Sequence, residues 1–319
     1  MLKNHSFLSG ASRITIGILC GAGAGAVWGL VFLAPELVRG FGPLHLATGR
    51  YLCYGLLSLV LLAPRWRKVV PRLTRQQWVG IISLALIGNL LYYVLLSAAV
   101  QWGGIAMTSL VIGFLPVWVT IIGSRDRHAV PLRALTPSLV CCALGAFCIG
   151  WQVLAMPAPG VSLRHVAGLG CAVGALLAWT WFAVANSRWL ARVQHVGVHD
   201  WNLLMGIVTG AMVVPLIPVA IVLDATPHTA ADWWQFAAVV ATLALLASIV
   251  GNGLWNRMSR LLPLTLAGQM ILFETLFALL YGFLWEQRWP TGTELAAFAF
   301  LCLGVVSCVA AHQRHGRHR

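Results

Sequence analysis

Two ionisable side chains sit where a bilayer would penalise them. Glu274 lies some twelve residues into the apolar stretch 262–284, and Arg50 about seven residues into 43–63. A charge at mid-bilayer costs at least about 2.5–3.5 kcal/mol on insertion scales. Glu274 therefore reads as a proton-coupling group or as a counter-charge to a substrate amine; the bland alternative is a protonated, hydrogen-bonded carboxyl. Arg50 is shallow enough to snorkel outward, and it either binds a carboxylate or closes its helix against a neighbour.

Uncharged polar residues form two stripes. In "GNLLYYVLLSAAVQWGG", residues 88–104, Asn89, Tyr93, Ser97 and Gln101 are spaced by four and share a helical face, with Tyr92 beside them. Asn89 follows Trp78 by eleven residues, about 16 Å along a helix and hence mid-membrane. The pattern returns in "GNGLWNRMSRLLPL", residues 251–264, where Asn252, Asn256 and Arg260 repeat the spacing and Trp255 stands alongside. Unpaired polar groups in hydrocarbon cost several kcal/mol, so each stripe faces either a wet cavity or a partner helix that it glues. Of the fifteen Trp, most lie at span ends as interfacial belts expect, Trp189 and Trp201 among them. Trp28, Trp118, Trp179, Trp181 and Trp255 are deeper, and rings of this kind suit a flat apolar substrate or simply lipid-facing packing.

Other motifs carry less. "GAGAGAVWG" fails as a nucleotide loop because no strand precedes it; Gly17, Gly21, Gly25 and Gly29 instead make a smooth groove for a neighbouring helix. His195, His199 and Asp200 have metal-like spacing without a further partner in sight. The eight cysteines lie in apolar stretches with no CxxC, against a disulfide framework or structural zinc. No cofactor is expected. An embedded enzyme would require paired carboxylates, HExxH or a Ser/His dyad, and none is present.

The elements that must position these residues follow from composition. Of the 319 residues 60% are hydrophobic and 9% charged, and the mean hydropathy is +0.85, which places the chain among integral membrane proteins. With roughly 20 apolar residues per span, ten helices are expected, at 14–34, 43–63, 78–100, 105–123, 132–152, 166–187, 201–222, 236–256, 262–284 and 293–311. The segments are too long and uniformly apolar for barrel strands. The first span reads as a retained helix rather than a cleaved signal peptide. A formal charge of +13 could suggest nucleic acid. The bases lie between spans, however, seventeen on one side and three (Arg39, Arg164, Arg288) on the other with Arg50 inside, so both termini are expected in the cytoplasm. The tail "HQRHGRHR" is a basic anchor near anionic lipid.

The stripes also reveal repetition. "AMTSLVIGFLPVWVTIIGSRD" in span four answers to "LTLAGQMILFETLFALLYGFLWEQ" in span nine, and Trp28 with Phe32 is echoed by Trp179 with Phe182. Halves 1–155 and 166–311, joined by a connector at 156–165 with its "MPAPG" turn and followed by the tail 312–319, would each hold five spans. An odd number makes them insert in opposite senses, with a substrate site between them near the midplane.

On "VWG" at 27–29, Arg50 after "GPLHLATG", "SLVIGFLPVW" at 109–118, "WTWFAVANSRWLAR" at 179–192 and "LWN" at 254–256, the chain resembles the drug/metabolite transporter superfamily with two EamA-type halves. Its Trp-rich sixth span and Trp255-Asn256 pair most resemble aromatic amino-acid exporters of the YddG type. The resemblance implies an inner-membrane exporter of small metabolites, amino acids including aromatic ones, working by alternating access without an obligate protein partner. Other amphipathic metabolites or drugs, such as amines, are the alternative, and a non-transporting scaffold is a different class. Expected substrate-binding residues are Trp28, Arg50, Asn89, Tyr92, Tyr93, Ser97, Trp179, Asn252, Trp255 and Asn256, with Glu274 and Pro116 in coupling or gating. The family usually pairs Pro116 with a proline in span nine; Thr275 stands there, preceded by Glu274.

Overall fold

The computed structural model describes residues 10–126, 129–155, 163–224, 226–287 and 289–317. The "MPAPG" turn lies outside them, as do Lys3, Arg127, Arg288 and Arg319. The described residues form helices and no strands: α1 (Gly10–Gly29), α2 (Ala34–Leu37), α3 (Pro43–Leu62), α4 (Trp66–Val69), α5 (Arg75–Leu84), α6 (Tyr92–Ile112), α7 (Leu115–Gly123), α8 (Leu132–Ala155), α9 (Leu163–Arg192), α10 (Val198–Val213), α11 (Ile217–Leu223), α12 (Ala230–Leu243), α13 (Asn252–Leu261), α14 (Leu264–Met270), α15 (Leu272–Glu286) and α16 (Gly292–Arg317). Combined where they run on, eight helices among the described residues are long and apolar enough to cross a bilayer. Two expected spans are not among the eight. Residues 105–123 are interrupted at 113–114 between α6 and α7, and within α8 the apolar helix Leu132–Cys148 is shorter than the others.

The third segment of each expected half begins alike. Thr74 caps α5 by accepting from the Gln77 N–H while Gln77 returns a bond to the Thr74 N–H, and Thr229 and Asp232 do the same for α12. Such reciprocal bonds satisfy amides that a helix start leaves orphaned. Each helix then passes through a π-helical stretch, Ala85–Leu91 or Ala244–Gly251, the wider winding that recurs at functional sites. α6 itself is sharply kinked at Gly104, where φ is +84°, a conformation that costs a residue without Cβ little.

The two expected breaks differ in their relation to proline. Pro116 occupies the first turn of α7, after the break, rather than kinking a continuous helix. Span nine breaks at Ile271 without any proline, since the Glu274 N–H bonds Ile271 O at 2.9 Å as α15 begins.

Close approach is set by glycine. A Cβ on Gly17, Gly21, Gly25 or Gly29 would meet Leu262, Met270, Phe273 or Ala278 at 2.5–2.9 Å, so the spacing-of-four groove on α1 receives the α14–α15 segment. Gly55 on α3 and Gly210 on α10 cross so tightly that a Cβ on the first would lie 2.7 Å from the Cα of the second. Elsewhere α6 lies along α9, α8 along α16, and α7 against α14.

Gly25→Ala tests this packing: its Cβ would stand 2.5 Å from Phe273 Cβ and 2.7 Å from the Glu274 backbone nitrogen. Overpacking of this kind costs about 1–3 kcal/mol, so a lower unfolding temperature in detergent is expected. Gly253→Ala meets nothing within 4 Å and should be neutral or slightly stabilising. Equal unfolding temperatures for the two variants would contradict the α1–α15 contact.

Candidate functional site

Three of the deep tryptophans converge from three helices. Trp28 on α1, Trp179 on α9 and Trp255 on α13 are all buried, with ring centroids 5.6 Å (28–179), 5.3 Å (28–255) and 5.1 Å (179–255) apart. Tyr92 joins at 6.2 Å from Trp179. Trp28 Nε1 donates to Ala247 O at 3.0 Å, whereas the buried Trp255 Nε1 has no partner among the described residues. Buried indole N–H groups usually find one.

Arg50 does not snorkel. It is only 6% exposed; its Nε donates to Ser248 Oγ at 3.2 Å, and its guanidinium lies 4.5 Å above the Tyr93 ring and 5.2 Å from that of Tyr51. The rings and the hydroxyl hold the cation on helix α3, a cation–π arrangement strengthened by desolvation. Glu274 is equally buried, in the first turn of α15, where the helix dipole favours an anion. Among the described residues it makes no ion pair and no side-chain hydrogen bond; the charge that acts on it is that of Arg50. Tyr92 lies in the field of both. A guanidinium and a carboxyl are thus buried in one neighbourhood without closing on each other.

The polar stripes divide. Asn89 Nδ2 donates to Thr209 Oγ1 at 2.9 Å, and Asn186 Nδ2 to Asn256 Oδ1 at 2.7 Å, so each amide of the pair is engaged by a helix across the interface. Among the described residues, by contrast, the buried Tyr93 and Ser97 hydroxyls and the Asn256 Nδ2 make no well-formed hydrogen bond, the Tyr93 hydroxyl lying toward Arg50 and Ser97. Asn252 is only partly buried, beside Tyr54. Arg260 leaves the stripe to cap the end of α9, donating to Val193 O and Val196 O at 2.9 and 2.7 Å. Gln101 is exposed at the other end and donates to Phe41 O at 3.0 Å.

Several residues decide between the alternatives or depart from them. Trp118 and Trp181 are 48% and 41% exposed and face outward; Trp181, two residues from Trp179, points to the opposite side of the same helix. Trp201 is no belt residue, being fully buried with its Nε1 donating to Asn186 Oδ1 at 3.1 Å. Asp200 pairs with Arg65 at 3.0 Å rather than joining His195 and His199. The packing partner of Gly88 is Phe182, while Gly251 meets Trp28.

Residues that the stripes missed supply the carbonyl partners. Tyr51 Oη donates to Asn89 O at 2.9 Å; Asn202 Nδ2 donates to Ser248 O and Ile249 O at 3.2 and 3.1 Å, and receives Tyr54 Oη on its own Oδ1 at 2.8 Å. Ser248 is one step of four before Asn252, so extending that stripe would have found it. Tyr51 follows Arg50 directly.

One end of the bundle is tied by Asp224. Its Oδ2 accepts from the Gly42 N–H at 3.0 Å and faces His45 Nδ1 at 3.1 Å and His228 Nε2 at 3.8 Å, while Thr226 Oγ1 donates to Oδ1. Phe41 stacks on His228 at 4.0 Å. Burial pushes the Asp224 carboxyl up, but the Thr226 and Gly42 hydrogen bonds and the His45 charge outweigh it, and the group stays below its ordinary 3.8. At the opposite, basic end Arg188 pairs with Asp126 at 3.0 Å.

A bundle of long apolar helices around a buried, unpaired Arg and Glu defines a multi-pass membrane protein of transporter type. Comparison with known proteins makes this definite. Residues 15–152 match the EamA-like transporter family. Inner membrane protein YtfF of Escherichia coli (strain K12) is 31% identical over 317 residues, spanning 92% of this chain and 95% of that one. "Uncharacterized transporter YoaV" of Bacillus subtilis (strain 168) is 22% identical over 283 residues, covering 88% and 91%. A solved crystal structure shares the fold with a TM-score of 0.68 at 17% identity, covering 94% and 98% of the two chains. The chain belongs to the EamA-like transporter family.

A carboxyl held below its ordinary pKa contributes stability above the unfolded value and loses it as pH falls through the folded one. The difference in unfolding temperature between the native protein and Asp224→Asn should therefore be large at pH 5 and shrink as the pH falls below 3.8. Asp232, held down by the Thr229 hydroxyl and N–H, is common to both proteins and cancels. A gap that persisted unchanged at pH 3 would remove Asp224 from the contact.

Proposed function

We propose that the protein is an inner-membrane secondary transporter that exports amino acids, aromatic ones included, by alternating access. In this reading ten spans form two inverted five-helix halves with both termini in the cytoplasm, and the site between them takes the substrate. The observation that carries the substrate class is the juxtaposition of Arg50, Glu274 and the Trp28–Trp179–Trp255–Tyr92 box. Arg50 would bind the substrate carboxylate with its remaining guanidinium donors. Glu274 would face the ammonium group, and the rings would take the side chain. Tyr93, Ser97, Asn252, Asn256 and the Trp255 N–H offer further polar contacts, while Asn89 acts through the Thr209 link that holds its helix.

The halves are supported by paired features: capping boxes at Thr74 and Thr229, π-helical stretches at Ala85–Leu91 and Ala244–Gly251, and breaks before Leu115 and Leu272. Pro116 helps fix the first break and is the hinge candidate on that side. A carboxylate surrounded by aromatic rings would also suit a simple amine. Arg50 weighs against it, since an unpaired guanidinium nearby repels a cation and is neutralised by a carboxylate.

Glu274 would carry the coupling proton, because a buried carboxylate without a partner is stabilised either by protonation or by the substrate ammonium. Reconstituted liposomes test this. Labelled Trp, Phe and Thr should move, and a pH gradient should accelerate them; a polyamine should not compete. Arg50→Gln removes a charge-assisted contact worth about 1.5–3 kcal/mol, roughly a tenfold to hundredfold loss in uptake. Trp179→Ala should cost aromatic substrates about threefold to tenfold through lost stacking and leave Thr nearly unchanged. Glu274→Gln should retain slow exchange but lose acceleration by the gradient. No movement of any amino acid above empty liposomes would overturn the substrate class; gradient acceleration retained in Glu274→Gln would overturn the coupling role.

A further inference from the structure

Away from the central site, α7 and α9 diverge and leave a groove of about 590 Å³. Trp118 forms one wall, and Leu177, Trp181, Ala185, Arg188 and Arg192 run along one face of α9 as the other. The steps of four, four, three and four keep them in register on that face. Leu177 to Arg188 spans about 16 Å at 1.5 Å per residue, close to half of a roughly 30 Å hydrocarbon core. The groove is therefore apolar through the depth of one leaflet and cationic where that leaflet ends. Arg188 already gives one nitrogen to Asp126 at 3.0 Å, and Arg192 has no ion pair among the described residues, so the mouth carries a net positive charge.

We propose that this groove is a binding site for one anionic phospholipid. An acyl chain lies along α9 between the Trp118 and Trp181 rings, and the phosphate sits on Arg192 and the free face of Arg188. Guanidinium forks match phosphate oxygens in pairs, and basic pockets between membrane helices are suited to anionic headgroups. A choline headgroup would bring its own cation to the same mouth. The site is independent of what the central site transports. It lies between α7 of one proposed half and α9 of the other, so an occupied groove braces the two against each other.

Native mass spectrometry of the full chain in a non-ionic detergent, titrated with dioleoyl phosphatidylglycerol or dioleoyl phosphatidylcholine, tests the site. The native protein should retain one phosphatidylglycerol in preference to phosphatidylcholine. Arg192→Gln, which breaks no ion pair, should weaken phosphatidylglycerol binding about fivefold, and Arg188→Gln with Arg192→Gln should abolish the preference. Ala185→Phe fills the groove with both arginines in place and should reduce retention of both lipids. Arg67→Gln with Lys68→Gln, at the separate basic patch after α3, should change nothing. Equal retention of the two lipids by the native protein, or a preference that survives Arg192→Gln and Ala185→Phe, would overturn the proposal.

Discussion

Inside a bilayer every backbone carbonyl must find a donor within the protein, and much of this structure answers to that constraint. The π-helical stretches in the third segment of each proposed half present carbonyls to neighbouring helices. Trp28, Tyr51 and Asn202 take those of Ala247, Asn89, Ser248 and Ile249. These bonds tie α1, α3 and α10 to the two stretches. Trp28 is thereby fixed in the aromatic box, and Tyr51 beside Arg50. Carbonyl satisfaction and site assembly are one set of contacts.

Electrostatics then decides what the site can hold. A buried ion pair usually closes, because each charge compensates the desolvation of the other. Here the Ser248 hydroxyl and the Tyr93 and Tyr51 rings hold Arg50, and Glu274 is held at the start of α15 with its backbone amide committed to Ile271. A zwitterion between them would complete both charges at once, and a proton on Glu274 would serve when the substrate has gone. In the proposed alternating-access cycle, that exchange would consume a proton gradient.

Much of this was legible in the sequence, for identifiable reasons. Span positions follow from hydropathy, and the glycines at 17, 21, 25 and 29 fall on one face at any helical winding near 3.6. Trp28, Trp179 and Trp255 were separable from the belt by depth alone. Depth could not separate them from Trp118 and Trp181, because which face of a helix meets protein is set by neighbours hundreds of residues away. The snorkelling reading of Arg50 failed for the same reason: its resting place is made by Ser248 and Tyr93, on other helices. The π-helical stretches had no residue-type signal at all. Trp201 looked interfacial because it opens a span, yet Asn186 draws its indole inside.

The pairing of carboxylate with Arg50 and ammonium with Glu274 is most directly tested by calorimetric binding of L-tryptophan, tryptamine and indole-3-propionate to the purified protein near pH 7. Those ligands share the indole and differ only in which charges they carry. L-tryptophan should bind at least about tenfold tighter than either relative, since each lacks one charge-assisted contact, and Arg50→Gln should erase its advantage over tryptamine alone. Tryptamine binding as tightly as L-tryptophan to the native protein would contradict the zwitterion site.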